Sequence, residues 1–200
     1  SGFELIAETG SASITETEGR FLLFPEEDFR QDVLYIDHKG SIEGDNVVFT
    51  WKDGKIESKD FRYTASINTK NVRRPVKNRI AFPLTSVKGF EEYLKPTDSI
   101  DSTNPEIVKK AQELVAGEDD LFKAVFKLAS WTEENIEYDL TTLTATTSQK
   151  ASWVLQERRG VCDEMTSLFV AMARSVGVPA RFVSGISYTT SDLFDENWQP

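Results

Sequence analysis

An α+β fold in two successive halves is what this sequence predicts, and three observations lead there. Residues 20 to about 90 hold short runs of β-branched and aromatic residues separated by turn formers. From residue 104 onward, apolar residues recur at helical spacing. Between them, "KGFEEYLKPTDSIDSTNP" (88–105) reads as a linker. The expected division is an arm or edge strand over 1–19, an antiparallel β-sandwich-like domain over 20–95 and a helix-led core over 96–200.

The strands are predicted at Arg20 to Phe24, Val33 to Asp37, Asn46 to Lys52, Lys59 to Thr69 and Arg79 to Leu84. "HKGS", "EGDN" and "KDGK" mark turns, the last with the Asp-Gly pair of a hairpin. Alternation in "VVFTW" and in "FRYTASI" puts Phe61, Tyr63, Ala65 and Ile67 on one face. Short strands at this spacing suggest a small sandwich.

Four helices follow. Asn104 caps the first, with Pro105 in its first turn and a stripe of Ile107, Val108, Ala111, Leu114 and Val115 ending at Gly117. The second runs from about Asp119 to Asn135 with Leu121, Phe122, Val125, Leu128 and Ala129 as its stripe. A Thr-rich loop (141–147) leads to a short third helix from Lys150 to Arg158. The fourth opens at Cys162 and has the best periodicity: Met165, Leu168, Phe169, Met172, Ala173 and Val176 share one side. Gly177 stops it, Pro179 blocks continuation, and "ARFVSGISY" reads as a strand.

Composition narrows the function. A net charge of −10 with a pI of about 4.7 opposes nucleic-acid binding, which needs a basic face; the Arg73-Arg74 and Arg158-Arg159 pairs read as solvated surface. One cysteine and one histidine (His38) allow neither an internal disulfide nor a Cys- or His-based metal site, and no cofactor is expected. No apolar run approaches the roughly 20 residues of a membrane span, so any membrane attachment is expected through segments outside these residues.

Cys162 carries the chemical question. A thiol attacks a carbonyl as the thiolate, which the open N–H groups and positive end of a helix N-terminus stabilise; the same N–H groups suit an oxyanion. Gly160 would allow a tight approach and leave room for a substrate backbone. The stripe would aim Cys162 at a sheet under the helix. The alternative is a small buried core residue, the common fate of unpaired cysteine. Asp163 and Glu164 read as ordinary acids of a first helical turn.

The stretch "VLQERRGVCDEMTSLFVAMARSVGVPARFVSG" resembles the central segment of the transglutaminase-like superfamily. The matching positions are Arg159, Gly160, Cys162, Arg174, Gly177, Val178, Pro179, Ala180 and Arg181. "FKAVFKLASWTEENIEYD", with Ile136 and Tyr138 near its end, is similar to that family's entry into its core. The resemblance implies a papain-like core of helices and antiparallel sheet, and a Cys-His-Asp triad acting on amides through a thioester. Cys162 would be the nucleophile and its backbone N–H an oxyanion donor. Tyr138 would be a second donor, or else a half-buried tyrosine with a wet hydroxyl. Arg174 and Arg181 would cap or pair with nearby carboxylates. Protein or peptide substrates are implied, with hydrolysis ahead of crosslinking, and a secreted or membrane-tethered location for the intact protein.

The pattern breaks after the helix. No histidine follows Cys162, and His38 reads as a turn residue, a dyad with Cys162 requiring the two halves to dock. Asp192 and Asp195 precede the place where the family's histidine belongs, so neither is carried over. "LFDENWQP" resembles the segment just before that histidine, so residues 1–200 are expected to be truncated ahead of the base and nearly inactive. A binding or scaffold module that has kept the fold is the alternative.

Overall fold

The computed structural model describes residues 15–21, 25–44, 46–52, 54, 61–72, 75–142 and 148–185. Residues 1–14 of the predicted arm or edge strand (1–19), the Arg73-Arg74 pair, Asp192, Asp195 and the "LFDENWQP" tail lie outside them. Two compact units emerge, one holding the strands up to Pro75 and the other Val76–Val183.

The first unit contains β1 (Thr17–Phe21), β2 (Gln31–His38), β3 (Ser41–Glu43), β4 (Asn46–Trp51) and β5 (Tyr63–Thr69). They form two antiparallel sheets, one ordered β1-β4-β3 and one pairing β2 with β5. The "KDGK" turn lies partly outside the described residues; β4 pairs with β1 and β3, whereas β5 pairs with β2. That central place also removes the alternation expected in "VVFTW": Val47, Val48 and Phe49 are all buried. β5 alternates as read over Phe61, Tyr63 and Ala65, whereas Ile67 is exposed. Phe61 stacks on Phe21 with ring centroids 3.9 Å apart and lies 5.6 Å from Phe49. This aromatic cluster supplies apolar contact that such short strands otherwise lack.

In the second unit the helices sit close to where periodicity places them: α1 (Pro105–Leu114), α2 (Leu121–Asn135), α3 (Ala151–Glu157) and α4 (Cys162–Ser175). Asn104 caps α1, its side-chain oxygen accepting the Glu106 N–H at 2.9 Å, and Asp120 caps α2 through the Lys123 N–H at 3.2 Å. The stripe of α2 differs from the expectation. Ala124, Leu128 and Thr132 face inward, and Phe122 turns outward beside Phe126, both more than half exposed.

Two segments predicted otherwise pack on these helices. No strand forms over 79–84; instead the Ile80 carbonyl accepts the Leu121 N–H at 2.8 Å and the Phe82 N–H reaches the Asp119 carbonyl at 3.1 Å. The entry to α2 takes the bonds a strand partner would have taken, and Phe82 is buried in the core. The 88–105 segment is no free linker. It forms a 3₁₀ turn at Glu91–Leu94, buries Ile100 and Ser102, and bonds to α3 through Ser99 and Asp101.

α4 is the central helix, touching α1, α2 and α3. Leu168, Val170, Ala171, Met172 and Ala173 are all buried, a broader band than one stripe. It ends as expected: the Gly177 N–H bonds the Arg174 carbonyl at 3.0 Å and the Val178 N–H the Ala173 carbonyl at 2.9 Å, a Schellman closure. Gly177 holds φ at +79°, with nothing within 4 Å of where a Cβ would stand. Gly177→Ala is therefore expected to destabilise by about 1 kcal/mol, the conformational term alone; a urea unfolding midpoint would measure it. The strand predicted after α4 is absent over its described part, 180–185.

Candidate active site

The site is assembled from one connection, α3 to α4, and the short strand it pairs with. α3 stops at Arg158, whose left-handed backbone (φ 59°) turns the chain back, with its guanidinium 4.6 Å from the Trp131 ring. The next two residues, Arg159–Gly160, form β7, which runs parallel to β6 (Glu137–Tyr138). Tyr138 lies opposite Gly160 in that register, and the Asp139 N–H bonds the Gly160 carbonyl at 3.2 Å. This two-stranded ladder fixes where α4 begins. Neither strand was legible as such, being two residues long.

Cys162 is the first residue of α4, and it is exposed. That disposes of the buried-core alternative; among the described residues α4 packs chiefly on α1, α2 and α3. The first bond of the helix ladder is the Met165 N–H to the Val161 carbonyl at 2.9 Å. The N–H groups of Cys162, Asp163 and Glu164 thus precede the ladder, at the positive end of a 14-residue helix.

Gly160 stands in tight packing. A Cβ there would stand 3.1 Å from the Glu164 Cβ, 3.2 Å from its Oε2 and 3.4 Å from Val154. Glu164 itself is only 1% exposed, the one acid among the buried polar residues described. Its Oε2 accepts the Thr142 hydroxyl at 2.7 Å and the Val161 N–H at 3.0 Å, and its Oε1 accepts the Gln149 N–H at 3.1 Å. Reading Glu164 only as an ordinary acid of a first helical turn misses this. Its place three residues after a cap that has no side-chain acceptor was the available signal.

The other motif residues divide cleanly. Arg174 bonds two carbonyls: Nε donates to that of Ala180 at 2.9 Å and Nη1 to that of Lys95 at 2.5 Å. It ties "GVPAR" to the 3₁₀ turn, and partial burial pulls its pKa below the usual arginine value. Val178 is buried, Pro179 half-buried and Arg181 exposed. Tyr138 is 57% exposed rather than half-buried. His38 belongs to the strand unit, where its Nδ1 lies 2.7 Å from the Gly40 carbonyl. Among the described residues no cluster of His, Cys, Asp or Glu is arranged to hold a metal ion, and no helix is long and apolar enough to cross a membrane.

Beside the ladder, Asp139 accepts the Thr141 hydroxyl at 2.7 Å and N–H at 2.9 Å, and Arg159 at 3.3 Å. The Thr141 hydroxyl is the largest cause, followed by its N–H and then Arg159, of an Asp139 carboxyl held below the usual carboxylate range. A depressed folded-state pKa contributes stability above the unfolded value and loses it as pH falls through the folded one. Asp139→Asn should accordingly flatten part of the loss of thermal midpoint seen from about pH 4 downward, in a pH series against the parent chain.

The model of the transglutaminase-like superfamily core matches residues 108–199, the segment that contains β6, β7, α3 and α4. This segment is similar to a transglutaminase-like core. A crystal structure from Cytophaga hutchinsonii, of a protein proposed to be a cysteine protease, superposes with a TM-score of 0.61 at 18% identity. The match covers 83% of this chain and 60% of that one, and supports an α+β, papain-like arrangement for the transglutaminase-like core. An uncharacterised Mycobacterium leprae protein is 29% identical over 105 residues, or 52% of this chain. The chain spans 36% of the length of that relative.

Proposed function

We propose that Cys162 is the nucleophile of an enzyme that cleaves or transfers amides of protein or peptide substrates. The observation that carries this reading is an exposed thiol at the first residue of α4, inside the segment matched to the transglutaminase-like core. In the reaction, the Cys162 thiolate attacks the amide carbonyl carbon and forms a carbon–sulfur bond as the carbonyl electrons move onto oxygen. The N–H groups at the head of α4 support that oxyanion, and Tyr138 is proposed to extend the set. Collapse expels the amine, which takes a proton from the general acid and leaves a thioester. Water or a second amine then releases the acyl group, and hydrolysis is the proposed outcome.

The base is proposed to be a histidine C-terminal to residue 200, oriented by an aspartate. The sole histidine of these 200 residues is His38, which precedes the cysteine. Residues 1–200 alone would then turn over little or no substrate, and the strand unit would be a sandwich-type module ahead of the catalytic core. The same lack of a following histidine favours a second reading, a binding module that has kept the fold. Incubating the full-length protein with a glutamine-containing peptide, with and without a primary amine, separates these. Ammonia or a shortened peptide without amine indicates hydrolysis, and amine incorporation indicates transfer. Binding without turnover would overturn the enzymatic reading.

A further inference from the structure

The buried carboxylate of Glu164 has no part in the chemistry above, yet it reaches three separate pieces of chain. We infer that Glu164 is the positioning residue of the Cys162 site, an inference that rests on the proposed role of the thiol. One oxygen takes the Val161 N–H and the Thr142 hydroxyl; the other takes the Gln149 N–H. Val161 precedes Cys162, Thr142 closes the turn that follows β6, and Gln149 leads into α3. One side chain therefore sets the start of α4 against both neighbouring segments.

Two further observations support this assignment. Val161 occupies the cap of α4 and has no side-chain acceptor, so the carboxylate three residues on restrains the cap from its backbone side. Gly160 admits the carboxylate: any Cβ at 160 would press on the Glu164 Cβ and Oε2, so the glycine before the site and the acid after it are one packing unit. A charged acceptor with several donors is held more firmly than a neutral one, which suits an anchor. The consequence for the thiol is orientation. The cap geometry sets the direction of the first-turn N–H groups at the head of α4, where Cys162 stands.

Cys162 is the only cysteine among the 200 residues, so alkylation by iodoacetamide at fixed pH reads this thiol alone. It is already exposed, so access does not limit the rate. Glu164→Ala should slow alkylation about fivefold, the scale on which helix-terminus alignment acts on a charged group. Glu164→Gln, whose amide oxygen can still accept Val161 and Thr142, should stay within about twofold of the parent. Thr142→Val removes one donor and leaves the carboxylate in place; it should slow alkylation measurably and keep the assay decisive if Glu164→Ala does not fold. Hydrogen exchange should rise together at the Val161 and Gln149 amides in Glu164→Ala.

Unchanged alkylation in folded Glu164→Ala or in Thr142→Val would reduce Glu164 to a packing element and overturn the inference. Faster alkylation in both Glu164 variants would overturn it in favour of a bare charge effect. Neither result depends on turnover, so failure here is distinguishable from failure of the enzymatic reading.

Discussion

Cys162→Ala in the full-length protein is expected to lower amide turnover by roughly 10⁴-fold or more, the usual consequence of removing the nucleophile from a coupled catalytic set. Because Cys162 is exposed and starts α4, the change removes no buried volume. The thermal midpoint should stay close to that of the parent, alanine being a good helix former. Loss of turnover with stability intact is the signature of a chemical role. A parallel His38→Ala measurement is informative: unchanged turnover agrees with a base lying beyond residue 200, whereas a comparable loss would assign the base to His38. Initial rates and circular dichroism melts on the same preparations suffice.

Leu168→Ala is expected to have the largest effect on stability. Leu168 is fully buried on the helix that α1, α2 and α3 share, so no neighbour can close the space without moving another. Such a truncation destabilises by about 2–5 kcal/mol, through lost transfer free energy and the remaining cavity. A loss of this size shifts the thermal midpoint by on the order of 10 °C or more in a unit of this length. Urea unfolding followed at 222 nm reports chiefly on these helices. A change below about 1 kcal/mol would mean that α4 is not the centre of the core, since losses that small belong to sites that repack freely.

The helical half was legible because each helix carries an unbroken period and explicit ends. Asn104 with Pro105, and Gly177 with Pro179, fixed boundaries that the structure reproduces to within a few residues. The strand half was legible as strands and not as pairings. Nothing local in "KDGK" reveals that β4 is flanked by β1 and β3, a choice made by partners distant in sequence. The 79–84 segment has strand-like residues, but tertiary contact with the head of α2 decides its conformation. Phe122 falls outside because the buried stripe runs through Ala124, Leu128 and Thr132, with Leu121 and Val125 packed at its edge.

At the site, the sequence motif pointed to Cys162 without giving its exposure, and the general habit of cysteine pointed the other way. Glu164 was misjudged for a related reason. An acid in a first helical turn is ordinary, and only the positions of Thr142 and Gln149, 22 and 15 residues away, turn it into a buried anchor. The role of Gly160 likewise needed the Glu164 side chain in place, since its constraint is a neighbour rather than a backbone angle. Arg174 reads from sequence as a residue that caps or pairs with carboxylates, and it bonds two carbonyls.

The most direct test of the central claim is to trap the covalent intermediate. Full-length protein mixed with an activated acyl-peptide, quenched in acid and digested with trypsin, should yield a peptide spanning residues 160–174 that carries the acyl mass on Cys162. The adduct should vanish in Cys162→Ala and disappear from the parent on addition of hydroxylamine, which cleaves thioesters. Turnover that proceeds with no acyl mass on Cys162, and persists in Cys162→Ala, would contradict the account.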